Sequence, residues 1–284
     1  MPGDRLLALA MGAILEPMAH PKPGAVTRCM GHSDKDIFDF AESFQYVYSA
    51  CRASAAGDCK GFMARGLKVY LPLARAKGNI QAGTLMLLLP LCRAAGETDL
   101  YPALLREASR LVVECDSPES ARLYYKLLEE AGVGHLGVYE GPVPGVGSGR
   151  YPSGLWEALR AARWDMVHRE LLYGYPLVEE AVRVILSRLG AGWEEAILWA
   201  LLNTLSRHGD TLIAHKYGWM AYKRALFEAS LSLRIAAAEG VKRALEYLDG
   251  LWRPRGWNPG AALDVVAAAT GVAYALRASV LVEG

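Results

Sequence analysis

Hydrophobic positions recur along nearly the whole chain at three- and four-residue steps, the period of an amphipathic helix. Ile37, Phe40, Ala41, Phe44, Val47, Tyr48 and Cys51 predict one helix over 36–55, with Asp34 or Ser33 as its N-cap. Leu104, Ala108, Leu111 and Val112 mark a second helix, and Ile197, Leu201, Leu202 and Leu205 a third. Ser117-Pro118-Glu119-Ser120 reads as an N-cap followed by proline at the first helical position. Strand-like alternation is weak throughout, and no repeat period emerges. The fold class is therefore all-α, a multi-helix, bundle-like arrangement.

One stretch breaks the pattern. Between 132 and 154 the chain carries Gly132, Gly134, Gly137, Gly141, Pro142, Pro144, Gly145, Gly147, Gly149, Pro152 and Gly154. No regular helix survives that density of glycine and proline, so a long loop is expected, with helix resuming at Leu155. The expectation is one all-α domain over 1–284 with this loop as an insertion; a two-lobed division at the loop is the alternative.

Composition narrows the class. Hydrophobic residues make up 52% of the 284, enough for a substantial core, while Lys+Arg 31 against Asp+Glu 30 gives a net charge of +1. That balance lacks the basic footprint of a nucleic-acid binder. Asparagine occurs only at 79, 203 and 258 and glutamine only at 45 and 81, a scarcity of heat-labile amides that suggests a thermophilic source. The five cysteines are odd in number and form no CxxC pair, which argues against a zinc site or a disulfide framework; small apolar packing is expected of them, with a single thermophile bridge left open. No basic n-region with a cleavage site precedes the first helix, and the apolar run between Asp264 and Arg277 is too short to span a bilayer. A cytoplasmic protein without a membrane partner is expected; oligomeric state is not legible.

Four polar segments stand out against this apolar background. The first holds His20, Pro21, Lys22, Pro23 and Gly24, then Arg28, then Gly31, His32, Ser33 and Asp34. Its prolines stop the preceding helix. Its cations suit phosphates and its carboxylates suit magnesium, a mixture that fits a nucleotide polyphosphate or an ordinary ion-pair cluster. The second, 78–83, places Gly78 and Asn79 before the apolar helix that begins near Thr84, where they serve as a cap or as an anion contact. The third runs from Asp210 through His215 and Lys216 to Gly218; Asp210 is either an N-cap or a ligand. The fourth, Asn258-Pro259-Gly260, opens the last helix, and Asp264 then enters an alanine- and valine-rich run. A carboxylate there needs a cation, a metal or several donors. The chain lacks GxxxxGK[ST], GxSxG, HExxH and the His-Asp dipeptide of metal-dependent phosphohydrolases.

Taken in order, these segments resemble the triphosphoribosyl-dephospho-CoA synthase family. Pro21-Lys22-Pro23-Gly24-Ala25-Val26-Thr27-Arg28 is similar to that family's Pro-Lys-Pro-Gly-x-Val-x-Arg signature, and Gly31-His32-Ser33-Asp34 to a slightly longer family stretch. Asp210, Thr211, His215, Lys216 and Gly218 match a third motif, and Asn258, Pro259, Gly260 and Asp264 a fourth. Where family members carry Thr-His-Lys in the second segment, this chain has Ile80, Gln81 and Ala82. The resemblance implies an all-α enzyme that moves the triphosphoribosyl group of ATP onto the 2′-hydroxyl of 3′-dephospho-CoA, releasing adenine, with Mg2+ as cofactor. It implies phosphate or nucleotide contacts from Lys22, Arg28, Asn79, His215, Lys216, Asn258 and Gly260. Asp34 and Asp210 would hold the metal and, with Asp264, serve catalysis. The departure in the second segment leaves room for another nucleotide-dependent transferase or a glycosidase; a non-enzymatic helical interaction protein is the remaining alternative.

Overall fold

A computed structural model describes residues 2–98, 101–132 and 142–282. The described residues are helical, without a strand. In chain order the α-helices are α1 (Pro2–Ala10), α2 (Gly12–Met18), α3 (Ile37–Ala55), α4 (Phe62–Lys77), α5 (Ala82–Ala94), α6 (Ala103–Glu114), α7 (Pro118–Glu130) and α8 (Leu155–Ala161). They continue with α9 (Met166–Tyr173), α10 (Pro176–Arg188), α11 (Trp193–His208), α12 (Thr211–Glu239), α13 (Val241–Trp252) and α14 (Gly260–Val282).

The helix over 36–55 is present as α3, but its cap is Asp36 rather than Asp34 or Ser33. Asp36 Oδ1 accepts from the Phe38 and Asp39 amides while Asp39 Oδ2 accepts from the Asp36 amide, a reciprocal cap that satisfies otherwise orphaned donors. Ser117 caps α7 as its sequence suggests, accepting from the Ser120 amide. The described part of the glycine-rich stretch, 142–154, is without helix, and α8 starts at Leu155. Its remainder, 133–141, including His135, lies outside the described residues.

The chain groups into two compact units, the first formed by 1–10 and 41–176, the second by 11–40 and 177–284. The described part of the glycine-rich stretch, 142–154, belongs to the first unit. In the first unit α5 is apolar all round, with Leu85, Leu87, Leu88, Leu89 and Leu91 fully buried. It packs on α1, α4, α6 and α9, the position that an all-apolar helix demands. Four of the five cysteines depart from the packing role expected of them. Cys51 pairs with Cys92, their Cα atoms 5.5 Å apart, and Cys59 pairs with Cys115 at 5.4 Å, two disulfides where at most one was left open. Only Cys29, in the second unit, is a free thiol.

In the second unit α14 packs on α2, α11 and α12, and α11 also on α12 and α13. Gly12 makes the α2–α14 crossing possible, because a Cβ there would lie 1.9 Å from the Ala267 carbonyl oxygen. The membrane reading needs one correction. The apolar part of α14, Gly260–Ala278, is long and apolar enough to cross a bilayer by length and composition, since the flanking residues extend the run beyond Asp264 and Arg277. Of that window 61% is buried inside the protein, and Val265, Val266, Ala268 and Ala269 are sealed in the core.

Candidate functional site

The four polar segments do not share one unit. The first, third and fourth lie in the second unit, and the 78–83 segment in the first.

Within the second unit the three segments meet through backbone contacts. Gly24 is left-handed, with φ at 62°, and a Cβ on it would lie 1.8 Å from the Trp257 carbonyl oxygen and 3.5 Å from the Asn258 Cα. Only glycine meets both demands, so the signature glycine brings the first segment against the fourth. Asp249 Oδ1 accepts from the Gly24 amide at 2.7 Å, and Arg253, paired with Asp249, donates to the Ala25 carbonyl at 2.9 Å. The third segment reaches the fourth through Asp210. One of its oxygens caps α12 by accepting from the Ile213 amide at 3.0 Å, and the other accepts from the Ala262 amide at 2.8 Å in the first turn of α14. Fully buried, Asp210 thus ties the N-termini of two helices together, where their dipoles favour a negative charge. Gly218 interrupts α12 with φ 84° and ψ 168°, and Tyr217 donates to the Gly256 carbonyl at 2.8 Å.

The candidate side chains sit in distinct surroundings. Lys22 is 2% exposed and donates to Glu16 Oε1 at 2.6 Å and to the Glu16 carbonyl at 2.9 Å. Burial pushes the Lys22 ammonium down and the Glu16 carboxyl up, and their mutual contact opposes both shifts. Arg28 is exposed, its Nη1 donating to the Met18 carbonyl at 2.8 Å and to Glu194. Asp34 lies in an exposed loop 3.3 Å from Lys35; desolvation opposes its ionisation, but the hydrogen bond and charge of Lys35 together outweigh it and hold the carboxyl below the usual range. Burial, and then the charge of Arg253, hold His32 below the usual imidazole range. His215 and Asp264 are half-buried, and Lys216 is exposed. Gly260 opens α14, where a Cβ would lie 2.7 Å from a Leu212 methyl group. Asn258 is half-buried; its Oδ1 is sealed and has no hydrogen-bond partner among the described residues.

In the first unit Asn79 is exposed and its Oδ1 accepts from the Ala82 amide at 3.2 Å, capping α5. The positions that depart from the family motif face inward. Ile80 and Ala82 are buried, and Gln81 accepts from Ser43 on α3 at 3.2 Å while its amide donates to Tyr70.

Three carboxylates that organise the first segment carried no sequence signal: Glu16, Glu194 and Asp249. Each lies in an ordinary helical pattern, and two of the three reach the segment from far along the chain. Among the described residues no group of three or more His, Cys, Asp and Glu side chains is placed to hold a metal ion.

A family model described as ATP:dephospho-CoA triphosphoribosyl transferase matches residues 5–281. Among solved structures, that of a proposed triphosphoribosyl-dephospho-CoA synthase from Archaeoglobus fulgidus is similar in fold, with a TM-score of 0.57 at 19% identity over 83% of this chain and 97% of that one. No curated protein gives a significant match.

Proposed function

The chain belongs to the ATP:dephospho-CoA triphosphoribosyl transferase family, and from that premise we propose that it transfers the triphosphoribosyl group of ATP to the 2′-hydroxyl of 3′-dephospho-CoA, with residues of the second unit carrying the chemistry. The observation that supports this assignment of residues is the meeting of three signature segments at Gly24, Asp210 and the start of α14.

The reaction breaks the bond between adenine and the anomeric carbon of ATP and joins that carbon to the acceptor oxygen. The hydroxyl proton passes to a base and adenine gains a proton as it leaves, so no net proton is released. Charge develops on the ribose as in glycoside hydrolysis. Arg28 and Lys216, both exposed, are the proposed phosphate contacts, together with His215, which precedes Lys216 on α12. Lys22, buried and bound to Glu16, anchors the 20–28 segment to the end of α2. Asp264 is the proposed base or stabiliser of the sugar cation. Asn258 offers a buried acceptor with an unmet hydrogen bond, the kind of group that a substrate hydroxyl or amine satisfies.

Magnesium fits the polyphosphate substrate better than the protein. Asp210 has both oxygens on backbone amides, which leaves Asp34 as the exposed carboxylate able to meet a nucleotide-borne ion through water. The described residues do not build a metal site, and no step here is routed through one. The buried Ile80, Gln81 and Ala82 favour a second reading, in which the family chemistry acts on an acceptor other than dephospho-CoA. Scarce amides, together with two bridges in a chain proposed to be cytoplasmic, support a thermophilic source.

Adenine release from ATP, measured with and without dephospho-CoA, tests the activity. Asp264→Asn is expected to lower turnover by about 10²–10⁴-fold with the fold intact. Undiminished turnover in the folded variant removes Asp264 from the chemistry, and release that ignores dephospho-CoA favours the second reading.

A further inference from the structure

We propose that Glu194 is a positioning residue that aims the signature arginine, Arg28, at a polyphosphate substrate; the identity of that substrate rests on the transferase reading above. Glu194 stands in the first turn of α11, followed by Ala196, Ile197 and Leu198, all buried, so its backbone is fixed by the core. Its two oxygens do different work. Oε1 accepts from the His20 amide at 3.2 Å and from Arg28 Nη1, while Oε2 accepts from Lys242 Nζ at 2.7 Å. One carboxylate therefore holds both ends of the 20–28 turn, where the chain leaves α2 and where the signature closes.

The contact with Arg28 uses one face of the guanidinium only. Nη1 is consumed by Glu194 and by the Met18 carbonyl. Nε and Nη2 make no hydrogen bond to the described residues, and the side chain is 42% exposed. That edge presents paired donors in the fork geometry that matches a phosphate. A guanidinium on a free stem would lose rotamer entropy on binding; here the arginine is already ordered. Two cations share one carboxylate, so the cluster keeps a net positive charge toward an anion.

Glu194→Gln keeps the size of the side chain and removes its charge. We expect hydrogen exchange to rise in peptides covering 18–30, and both Kd and KM for ATP to rise roughly ten- to a hundredfold, the scale of a charge-assisted hydrogen bond, with kcat within about threefold. Lys242→Gln, which removes the outer partner, is expected to leave exchange across 18–30 unchanged. The proposal is overturned by unaltered exchange and ATP affinity in Glu194→Gln, by a fall in kcat and thermal stability at unaltered KM, or by a wild-type protein that binds no ATP. A wild type that binds ATP but releases no adenine sinks the transferase reading alone, because exchange and Kd still decide the role of Glu194.

Discussion

The first unit closes its loops with covalent bonds and, among its described residues, seals one charged side chain, Glu170; the second is without a bridge and seals three. In the first, α5 is leucine-lined on every side and two disulfides join distant helices and turns. In the second, Lys22, Glu16 and Asp210 are all nearly or fully sealed from solvent, and each is satisfied by a specific partner. The same capping motif shows the contrast. Ser117 caps α7 within its own helix, whereas Asp210 caps α12 and with its other oxygen holds the start of α14. Burying charge is costly, and a core of aliphatic residues would be as stable or more so. A unit that accepts the cost is one in which polar groups have to stand at fixed places, and it is the unit that carries three of the four family segments.

Reduction is the largest lever on this contrast. The bridges span 41 and 56 residues in sequence, and each is expected to stabilise the first unit by about 4 kcal/mol through the loop entropy removed from its unfolded chain. After reduction, hydrogen-exchange protection should collapse across 41–132 and 142–176 while peptides from 177–282 keep theirs. Alkylation of the unreduced, denatured protein should label one cysteine, Cys29. Labelling of all five would remove the covalent half of the comparison.

Much of this architecture is legible from periodicity alone, because a helix that buries one face must repeat its apolar residues along that face. The helices over 36–55 and after Ser117, the break before Leu155 and the opening of α14 after Asn258 all follow from local rules. The bridges do not, since pairing depends on which helices pack together rather than on spacing. Lys22 is readable as a ligand because lysines usually face water; nothing local shows that Glu16, six residues earlier, turns inward to meet it. The carboxylates of Glu194 and Asp249 are hidden for a related reason. They look like ordinary surface positions of α11 and α13 until the 20–28 turn is laid against them. The family segments themselves are legible as a set, and what the sequence conceals is how their backbones are tied.

A double substitution sharpens the account of the second unit. Lys22→Met alone leaves Glu16 buried without its cation and is expected to cost about 3–5 kcal/mol in a denaturant titration. Adding Glu16→Gln should recover most of that loss, because the pair is then replaced by neutral groups of similar size. Equal stability of the single variant and the wild type would mean that the charge is not buried. Adenine release by the stabilised double variant then separates the roles of Lys22. Retained activity confines it to support of the turn, and lost activity extends it to phosphate binding.

Acid should act on the second unit first, through Glu194. Burial opposes its ionisation, but hydrogen bonds from Lys242 and Arg28 and from the His20 amide outweigh that cost and hold its carboxyl down to about 2, against an ordinary value of 4.5. A carboxyl depressed in the folded state stabilises the fold above its unfolded pKa and loses that contribution as protons bind. The stability given by Glu194 is therefore complete above about pH 4.5 and disappears as the pH falls toward about 2. Discounted for solvent screening at a partly exposed group, it amounts to about 2 kcal/mol. In the first unit, the carboxyls of Glu119 and Glu130 are also held down, each by hydrogen bonds from a single arginine, Arg122 and Arg75, without the second cation and the backbone amide that Glu194 gathers. Pepsin digestion between pH 4.5 and 2.5 reads the difference, since the enzyme cuts opened chain and mass spectrometry places the cuts. Early cleavage is expected around 18–30 and at the start of α11. Glu194→Gln should be cut there already at pH 4.5 and change little on further acidification. A variant whose cleavage keeps the wild-type pH dependence would show that the acid response belongs to other carboxylates, and that the second unit is not held at this point by charge.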